Sequence, residues 1–300
     1  MTITGSRVFL KLDFVVPGIS KCGSSSFCSL LAQHPDIFFA AEKEPSFFCD
    51  PLYDQKWAWY GGLFAGGAGK ALWGEGTTFY SSVTAEVASR KTLLTHFPDI
   101  RLIFIVRDPL ARIESSFREF HHGGSLYGLN TPFSMIEAFE ALPQIIEDSR
   151  YTARIDNYRR YMPADHVHIL FFEDLVRAPR ETLTKCFDFL GLPAMDCIPQ
   201  VPRLNKGSTK LYDTRLLRAL RKNRILDPWI GAVPHELLNC VGRWLGLRRQ
   251  FSGRKPFEEQ PEARAYVLRL LGEESRAFLV ENGKPADFWW PADSARARAA

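Results

Sequence analysis

The sequence lacks the features that mark membrane-spanning, metal-binding and disulfide-linked proteins. No apolar run approaches the roughly 18 residues that a membrane-spanning helix needs. The six cysteines form neither a C-x-x-C pair nor a cluster with metal-ligand spacing, which favours free thiols and no metal. Arg7, Lys11 and Asp13 interrupt the first residues, so they contain no continuous signal-peptide core. We therefore predict a cytoplasmic protein without a membrane span.

The chain also has little net charge and no internal repeat. Lys and Arg number 38 and Asp and Glu number 34, which gives a formal net charge of +4. This excess is too small to indicate nucleic-acid binding. Hydrophobic residues make up 46% of the chain, as in ordinary globular proteins. We predict a single domain over residues 1–291 with a basic, helical C-terminal part at 203–255, and a disordered tail at 292–300.

A strand, a tight loop and a helix are predicted over residues 13–31. The apolar run at 13–16 predicts the strand, and apolar residues at helical spacing resume at Phe27. Gly18 and Gly23 between them let the backbone curve closely around a ligand. The N-terminus of a helix presents N–H groups and a positive dipole end, which favour an anion. This stretch therefore predicts a phosphate-binding loop.

The sequence of this loop indicates which kind of phosphate ligand to expect. Gly18 and Gly23 are spaced as in the triphosphate loop G-x-x-x-x-G-K-[ST], but Ser24 stands where that loop has its lysine. The lysine of this loop is Lys21, two residues before the second glycine. We therefore expect one phosphate or phosphosulfate rather than a magnesium-bound triphosphate. The expected ligand contacts come from Lys21, Cys22, Gly23, Ser24, Ser25 and Ser26.

A second anion-binding motif follows a long apolar run. Five apolar residues precede Arg107 and predict a central strand at 101–106, covered on both faces. Asp108 is suited to capping the next helix, and Pro109 to its first turn. Arg107 then emerges at the carboxyl end of the strand, where its guanidinium fork matches the oxygens of a phosphate. Ser115 lies eight residues further on, on the helix.

The sequence contains, in this order, the segments K-C-G-S-S-S, A-A-E-K-E-P-S-F-F-C-D and R-L-I-F-I-V-R-D-P-L-A-R-I-E-S-S-F. Together they resemble the sulfotransferases that use 3′-phosphoadenosine 5′-phosphosulfate (PAPS), especially the heparan sulfate branch and its bacterial relatives. The resemblance implies a three-layer α/β fold, with a central, mainly parallel sheet flanked by helices and a P-loop-like phosphosulfate-binding loop after the first strand. It implies that the Lys21 loop binds the 5′-phosphosulfate, and that Arg107 and Ser115 bind the 3′-phosphate. The loop implied to cover that phosphate contains Lys206, Gly207 and Ser208.

The resemblance also implies a reaction. A sulfuryl group passes from PAPS to a hydroxyl or amine of a carbohydrate or small-molecule acceptor, without a metal, and adenosine 3′,5′-bisphosphate (PAP) leaves. Glu44 stands at the catalytic glutamate of the pattern E-x-x-F-F and is the expected base, with Glu42, His122 and His121 as alternatives. Lys21 is expected to stabilise charge on the bridging oxygen. The expected acceptor contacts are Phe47, Phe48, His121 and Tyr127.

One departure from the family pattern leaves other functions open. Heparan-modifying members have a lysine after the glutamate of L-W-G-E-G-T-T, and this chain has Gly76 there. The change removes a positive charge near the reacting sulfate and weakens the case for heparan sulfate as the acceptor. The alternatives are a nucleoside-triphosphate-dependent kinase or hydrolase, and a non-catalytic scaffold that binds nucleotides or polyanions. No pattern in the sequence predicts the acceptor or the oligomeric state.

Overall fold

The computed structural model describes residues 10–124, 129–195, 211–222, 234–251 and 255–290. The chain forms two units. The first comprises the described parts of Met1–Pro109, Glu147–Leu204 and Leu271–Ala300, and the second those of Leu110–Ile146 and Asn205–Leu270. The single domain expected over 1–291 stays a prediction. Expected features outside the described residues are Tyr127, Lys206, Gly207, Ser208 and the tail 292–300.

A five-stranded parallel sheet forms the centre of the first unit. Its order is β2-β3-β1-β4-β5, and every neighbouring pair of strands is parallel. The strands are β1 (Phe14–Gly18), β2 (Ile37–Phe39), β3 (Leu72–Gly76), β4 (Arg101–Val106) and β5 (Val167–Phe171). This sheet and its flanking helices confirm the expected α/β class with a mainly parallel sheet.

The burial of β1 and β4 explains why the sequence predicted both strands. All five residues of β1 are buried. In β4, the residues 102–106 are each 0% exposed, because helices cover both faces of the sheet. A strand covered on both faces is a continuous apolar run rather than an alternating one, and this confirms the strand expected at 101–106.

The helices are numbered along the described chain. They are α1 (Ser24–Leu31), α2 (Trp57–Gly62), α3 (Glu86–His96), α4 (Pro109–Gly123), α5 (Met135–Ala141), α6 (Gln144–Glu147), α7 (Tyr151–Arg159), α8 (Phe172–Arg177), α9 (Pro179–Leu190), α10 (Arg215–Lys222), α11 (His235–Trp244), α12 (Pro256–Glu259) and α13 (Pro261–Glu281). The spacing of apolar residues predicts separate helices at 263–271 and 274–281, but α13 is continuous through Gly272. None of the described helices is both long enough and apolar enough to cross a membrane.

The second unit contains a small antiparallel sheet. Its strands are β6 (Leu211–Asp213) and β7 (Arg248–Gln250). The guanidinium of Arg248 is completely buried, and its Nε lies 2.8 Å from Asp213 Oδ1. The pairing of a buried charge with a carboxylate offsets much of the cost of removing it from water. The described part of the basic segment 203–255 thus contains strands as well as the helices α10 and α11.

Candidate active site

The carboxyl edge of the parallel sheet brings together the residues that the sequence singled out in the first unit. β1 ends at Gly18 and leads into the loop that contains Lys21, while β4 ends one residue before Arg107. From β1 the chain moves to one side to form β2 and β3, and then to the other side to form β4 and β5. Open α/β sheets bind their ligands at such a switch point, outside the carboxyl ends of the strands.

The loop after β1 has the backbone expected of an anion-binding loop. Gly18, Lys21 and Gly23 all have positive φ angles, of 146°, 68° and 92°. The N–H of Cys22 donates to the carbonyl of Ile19 at 3.2 Å, which closes the turn. α1 then begins at Ser24, so three serine hydroxyls and the N–H groups of a first helical turn lie together. The structure confirms the expected sequence of strand, loop and helix.

An aromatic ring links this loop to Arg107. A Cβ on Gly23 would lie 2.4 Å from the ring of Phe172, so the ring packs directly against the loop backbone. The guanidinium carbon of Arg107 lies 5.0 Å from the centroid of the same ring, within range of a cation–π contact. Phe172, the first residue of α8, therefore lies between the two groups that were expected to bind anions.

Tyr151 joins the same two segments by hydrogen bonds. Its hydroxyl donates to the carbonyl of Arg107 at 2.6 Å. The sulfur of Cys22 lies 3.7 Å from that hydroxyl, and the thiol is the donor because the tyrosine proton points to the carbonyl. Cys22 is 0% exposed. Its side chain faces the interior, so a ligand contact from Cys22 would come from its backbone.

The turn after Arg107 is fixed by residues from distant parts of the chain. The N–H of Asp108 donates to Glu173 Oε1 at 2.8 Å. The carboxylate of Asp108 accepts a hydrogen bond from the indole N–H of Trp290 at 2.9 Å. Burial raises the pKa of Glu173 above its usual value. These contacts hold Arg107 at the strand end independently of any ligand.

The structure places Glu44 beside the loop. Glu44 and Ser46 both have left-handed backbone conformations, with φ of 54° and 55°. Such conformations cost about 1 kcal/mol or more for residues with a side chain, and they are frequent at functional sites. Glu44 Oε1 accepts a hydrogen bond from the hydroxyl of Thr78 at 3.3 Å. It also lies 3.7 Å from the ammonium of Lys43, which in turn donates to Ser25 Oγ at 2.5 Å.

Glu75, in β3, is a buried carboxylate that the sequence did not identify as a site residue. It is 0% exposed. Its Oε1 accepts hydrogen bonds from Tyr60 at 2.8 Å and Tyr80 at 2.9 Å, and its Oε2 accepts one from Thr77 at 2.7 Å. Burial raises the pKa of Glu75 to about 7, the three hydroxyl donors oppose that rise, and the negative charge of Glu44 adds to it.

The hydroxyls around Glu75 hold the segment that carries Glu44. Thr77 Oγ1 accepts a hydrogen bond from the N–H of Ser46 at 3.4 Å. The hydroxyl of Tyr80 accepts one from the N–H of Phe48 at 3.2 Å. One buried carboxylate thus connects β3 to the turn that follows Glu44. The one sign of this carboxylate in the sequence is a single acidic residue between Gly74 and Gly76.

Two expected acceptor contacts require correction. Phe47 is 0% exposed and Phe48 is 1% exposed. The ring of Phe47 stacks on Tyr60 with a centroid distance of 4.1 Å and an interplanar angle of 6°. Both rings belong to the hydrophobic core of the first unit, so neither presents a surface to an acceptor.

The second unit contains three further residues that the sequence singled out. His121 and His122 lie within α4, and Ser115 lies in the same helix, as expected. His121 is 4% exposed, and its ring contacts those of Phe117 and Phe133. The Nδ1 atom of His122 accepts a hydrogen bond from the N–H of Leu211 at 3.1 Å. Their roles with a ligand stay predictions.

Comparisons of the sequence with known proteins give a consistent result. Residues 74–196 match a family model described as the sulfotransferase family. The mouse protein named heparan sulfate glucosamine 3-O-sulfotransferase 6 is 30% identical over 193 residues, which cover 59% of this chain and 52% of that protein. The human heparan sulfate glucosamine 3-O-sulfotransferase 3B1 is 29% identical over 185 residues, which cover 59% and 45%. The chain spans about half the length of these relatives.

A solved structure shares the fold. The sulfotransferase from Alicyclobacillus acidocaldarius superimposes with a TM-score of 0.53 at 22% identity, over 73% of this chain and 93% of that one. This similarity shows a common α/β architecture. The sequence matches confirm that the chain resembles sulfotransferases and, among them, the heparan sulfate branch.

We predict that Glu75 makes stability fall as pH rises from about 4.5 to 7. Its pKa is about 7 in the folded protein and near 4.5 when exposed, so folding takes up a proton between these values. The free energy of unfolding should drop by up to about 3 kcal/mol across this window. Below pH 4.5 that contribution is fully present, and above pH 7 it is lost. Urea titrations at several pH values measure the drop.

The variant Glu75→Gln isolates this effect because the amide keeps the shape of the side chain and cannot ionise. Its free energy of unfolding should lose less than that of the wild type over the same pH range. The matched control is Glu181→Gln, since that side chain is 68% exposed, and it should keep the wild-type slope. Equal slopes for Glu75→Gln and the wild type would contradict the prediction.

Proposed function

We propose that this protein transfers a sulfuryl group from PAPS to a hydroxyl or amine of a carbohydrate or small-molecule acceptor. The observation that carries the proposal is the position of the Lys21 loop and Arg107 on neighbouring strands, joined through Phe172 and Tyr151. Two separate anion-binding groups suit a nucleotide phosphorylated at two separate positions. A single triphosphate chain would need a lysine directly after Gly23, where the chain has Ser24.

The residues of the first unit fit the chemical groups of PAPS. The helix N-terminus and the hydroxyls of Ser24–Ser26 would hold the 5′-phosphosulfate, and Arg107 the 3′-phosphate. The ring of Phe172 is partly exposed between them and offers an apolar face to a base. When bound there, PAPS would supply the sulfuryl group and a bisphosphate leaving group.

Glu44 and Lys21 would each carry out one part of the transfer. Glu44 would take the proton of the acceptor hydroxyl as its oxygen bonds to sulfur, and 38% of the Glu44 side chain is exposed for this contact. Lys21 would stabilise the negative charge that develops on the bridging oxygen as the bond from that oxygen to sulfur breaks. The proton goes to Glu44 and the bond electrons stay with the leaving PAP.

The acceptor class follows from the relatives only in general terms. The names of the matched mouse and human proteins describe transfer to the 3-oxygen of glucosamine in heparan sulfate. This supports a carbohydrate among the acceptors to be tested. Gly76 stands where the sequence pattern of that branch has a lysine, so small-molecule hydroxyls belong in the same test.

Transfer from isotopically labelled PAPS tests the proposal directly. The purified protein should transfer label to an acceptor in a set of sulfated and unsulfated oligosaccharides and a metabolite extract, and mass spectrometry identifies the product. Lys21→Ala should lower the rate about 100-fold or more while the melting temperature stays within a few degrees. Binding of PAP without transfer would favour a scaffold, and stabilisation by ATP with magnesium but not by PAP would favour a kinase or hydrolase.

The assignment of Arg107 to the 3′-phosphate predicts a ligand-dependent loss of affinity. Arg107→Ala should weaken PAP binding about 10- to 100-fold, the value of a charge-assisted pair, and leave binding of adenosine 5′-monophosphate nearly unchanged. Calorimetry measures both. Arg177→Ala is the matched control, because that arginine is 71% exposed and pairs with Asp174. An equal loss for the two nucleotides would reject the assignment.

The role of Glu44 predicts a loss of rate without a loss of donor binding. Glu44→Gln should lower the maximal transfer rate about 100-fold, because the amide cannot accept the proton, and should leave PAP affinity within about threefold. Steady-state kinetics and calorimetry separate the two quantities. If Glu44→Gln kept the wild-type rate, the base would be Glu42 or a histidine of the pair His121 and His122 instead.

A further inference from the structure

Lys43 lies where the loop after β1 meets the candidate base. Its ammonium donates to Ser25 Oγ at 2.5 Å and lies 3.7 Å from Glu44 Oε1. The side chain is 59% exposed, so the ammonium faces the solvent side of the site as well. Lys43 is therefore a cation in contact with the first turn of α1 and with the carboxylate expected to take the proton.

The hydrogen bond from Lys43 also determines how the hydroxyl of Ser25 can bind a ligand. A hydroxyl has one proton and two lone pairs. Because Lys43 fills one lone pair of Ser25 Oγ, the hydroxyl proton is available to donate elsewhere. An anion that accepts this proton would lie close to the ammonium of Lys43 as well. An anionic group bound by Ser25 would therefore also lie near the positive charge of Lys43.

A side chain at residue 76, at the end of β3, would meet Cys28 of α1. A Cβ on Gly76 would lie 2.6 Å from Cys28 Sγ, too close unless the thiol moved. Burial raises the pKa of Cys28 to about 12, and the charge of Lys43 opposes that rise. The charge of Lys43 therefore acts on Cys28, the residue that a side chain at position 76 would meet.

We propose that Lys43 is a donor-binding residue whose ammonium contacts the sulfuryl oxygens of PAPS, beside the hydroxyl of Ser25. This inference rests on the proposed function and adds to it a second cation, besides Lys21, at the group that is transferred. Removal of Lys43 should act on the sulfuryl group, which PAPS has and PAP lacks. Comparison of the two nucleotides therefore isolates its contribution.

Calorimetry with PAPS and PAP, on the wild type and three variants, tests the role of Lys43. Lys43→Ala should weaken PAPS binding about tenfold and PAP binding less than threefold, as expected for one charge-assisted contact in a partly exposed site. Lys43→Arg should keep PAPS affinity within about threefold because it retains the charge. Lys185→Ala is the matched control, since that lysine is 64% exposed on α9, and it should change neither affinity.

The outcomes separate failure of this role from failure of the proposed function. If the wild type binds PAPS and transfers label while Lys43→Ala binds PAPS equally well, the role of Lys43 is rejected and the function stands. An equal loss of PAPS and PAP affinity in Lys43→Ala, or the same loss in Lys185→Ala, also rejects a specific sulfuryl contact. A wild type that binds neither nucleotide overturns the proposed function and this inference together.

Discussion

The site depends on a carboxylate that has been removed from water. Transfer of an ionised carboxylate into a protein interior costs several kcal/mol unless hydrogen bonds replace its hydration. Glu75 receives three hydroxyl donors, from α2 and from the segment that follows β3. Two of the same hydroxyls accept N–H groups from the turn after Glu44. The strained backbone at Glu44 and Ser46 is therefore held by a network whose centre makes no contact with solvent.

The sequence predicted those parts of the sheet whose strands are rich in large apolar residues. β4 has five consecutive apolar residues and was expected over the residues it occupies. β3 was not expected as a strand, because Leu72–Gly76 contains two glycines and a glutamate. These residues suit β3 for reasons outside its own sequence, since a Cβ on Gly74 would lie 2.1 Å from the ring of Phe14. Local patterns do not contain such long-range packing.

The site was predicted in part, for a similar reason. Lys21 and Arg107 follow strands, and the carboxyl ends of parallel strands meet at one edge, so their proximity could be expected. The orientation of side chains outside strands could not. Phe47 and Phe48 follow a polar segment and were expected to face an acceptor, but they pack into the core around Tyr60. The contact of Phe172 with both the loop and Arg107 joins residues far apart in the chain.

The glycines of the loop show why the motif alone could not settle its function. A Cβ on Gly18 would lie 1.9 Å from Ser81 Oγ, and one on Gly23 would lie 2.4 Å from Phe172. The packing of the protein thus requires glycine at both positions whether or not a phosphate binds. Arg107 distinguishes an anion-binding loop from a loop that is merely well packed. Its guanidinium lies over the ring that packs on Gly23, and packing alone does not require a charge there. Arg107 and Lys21 therefore indicate an anion-binding site more strongly than the two glycines do.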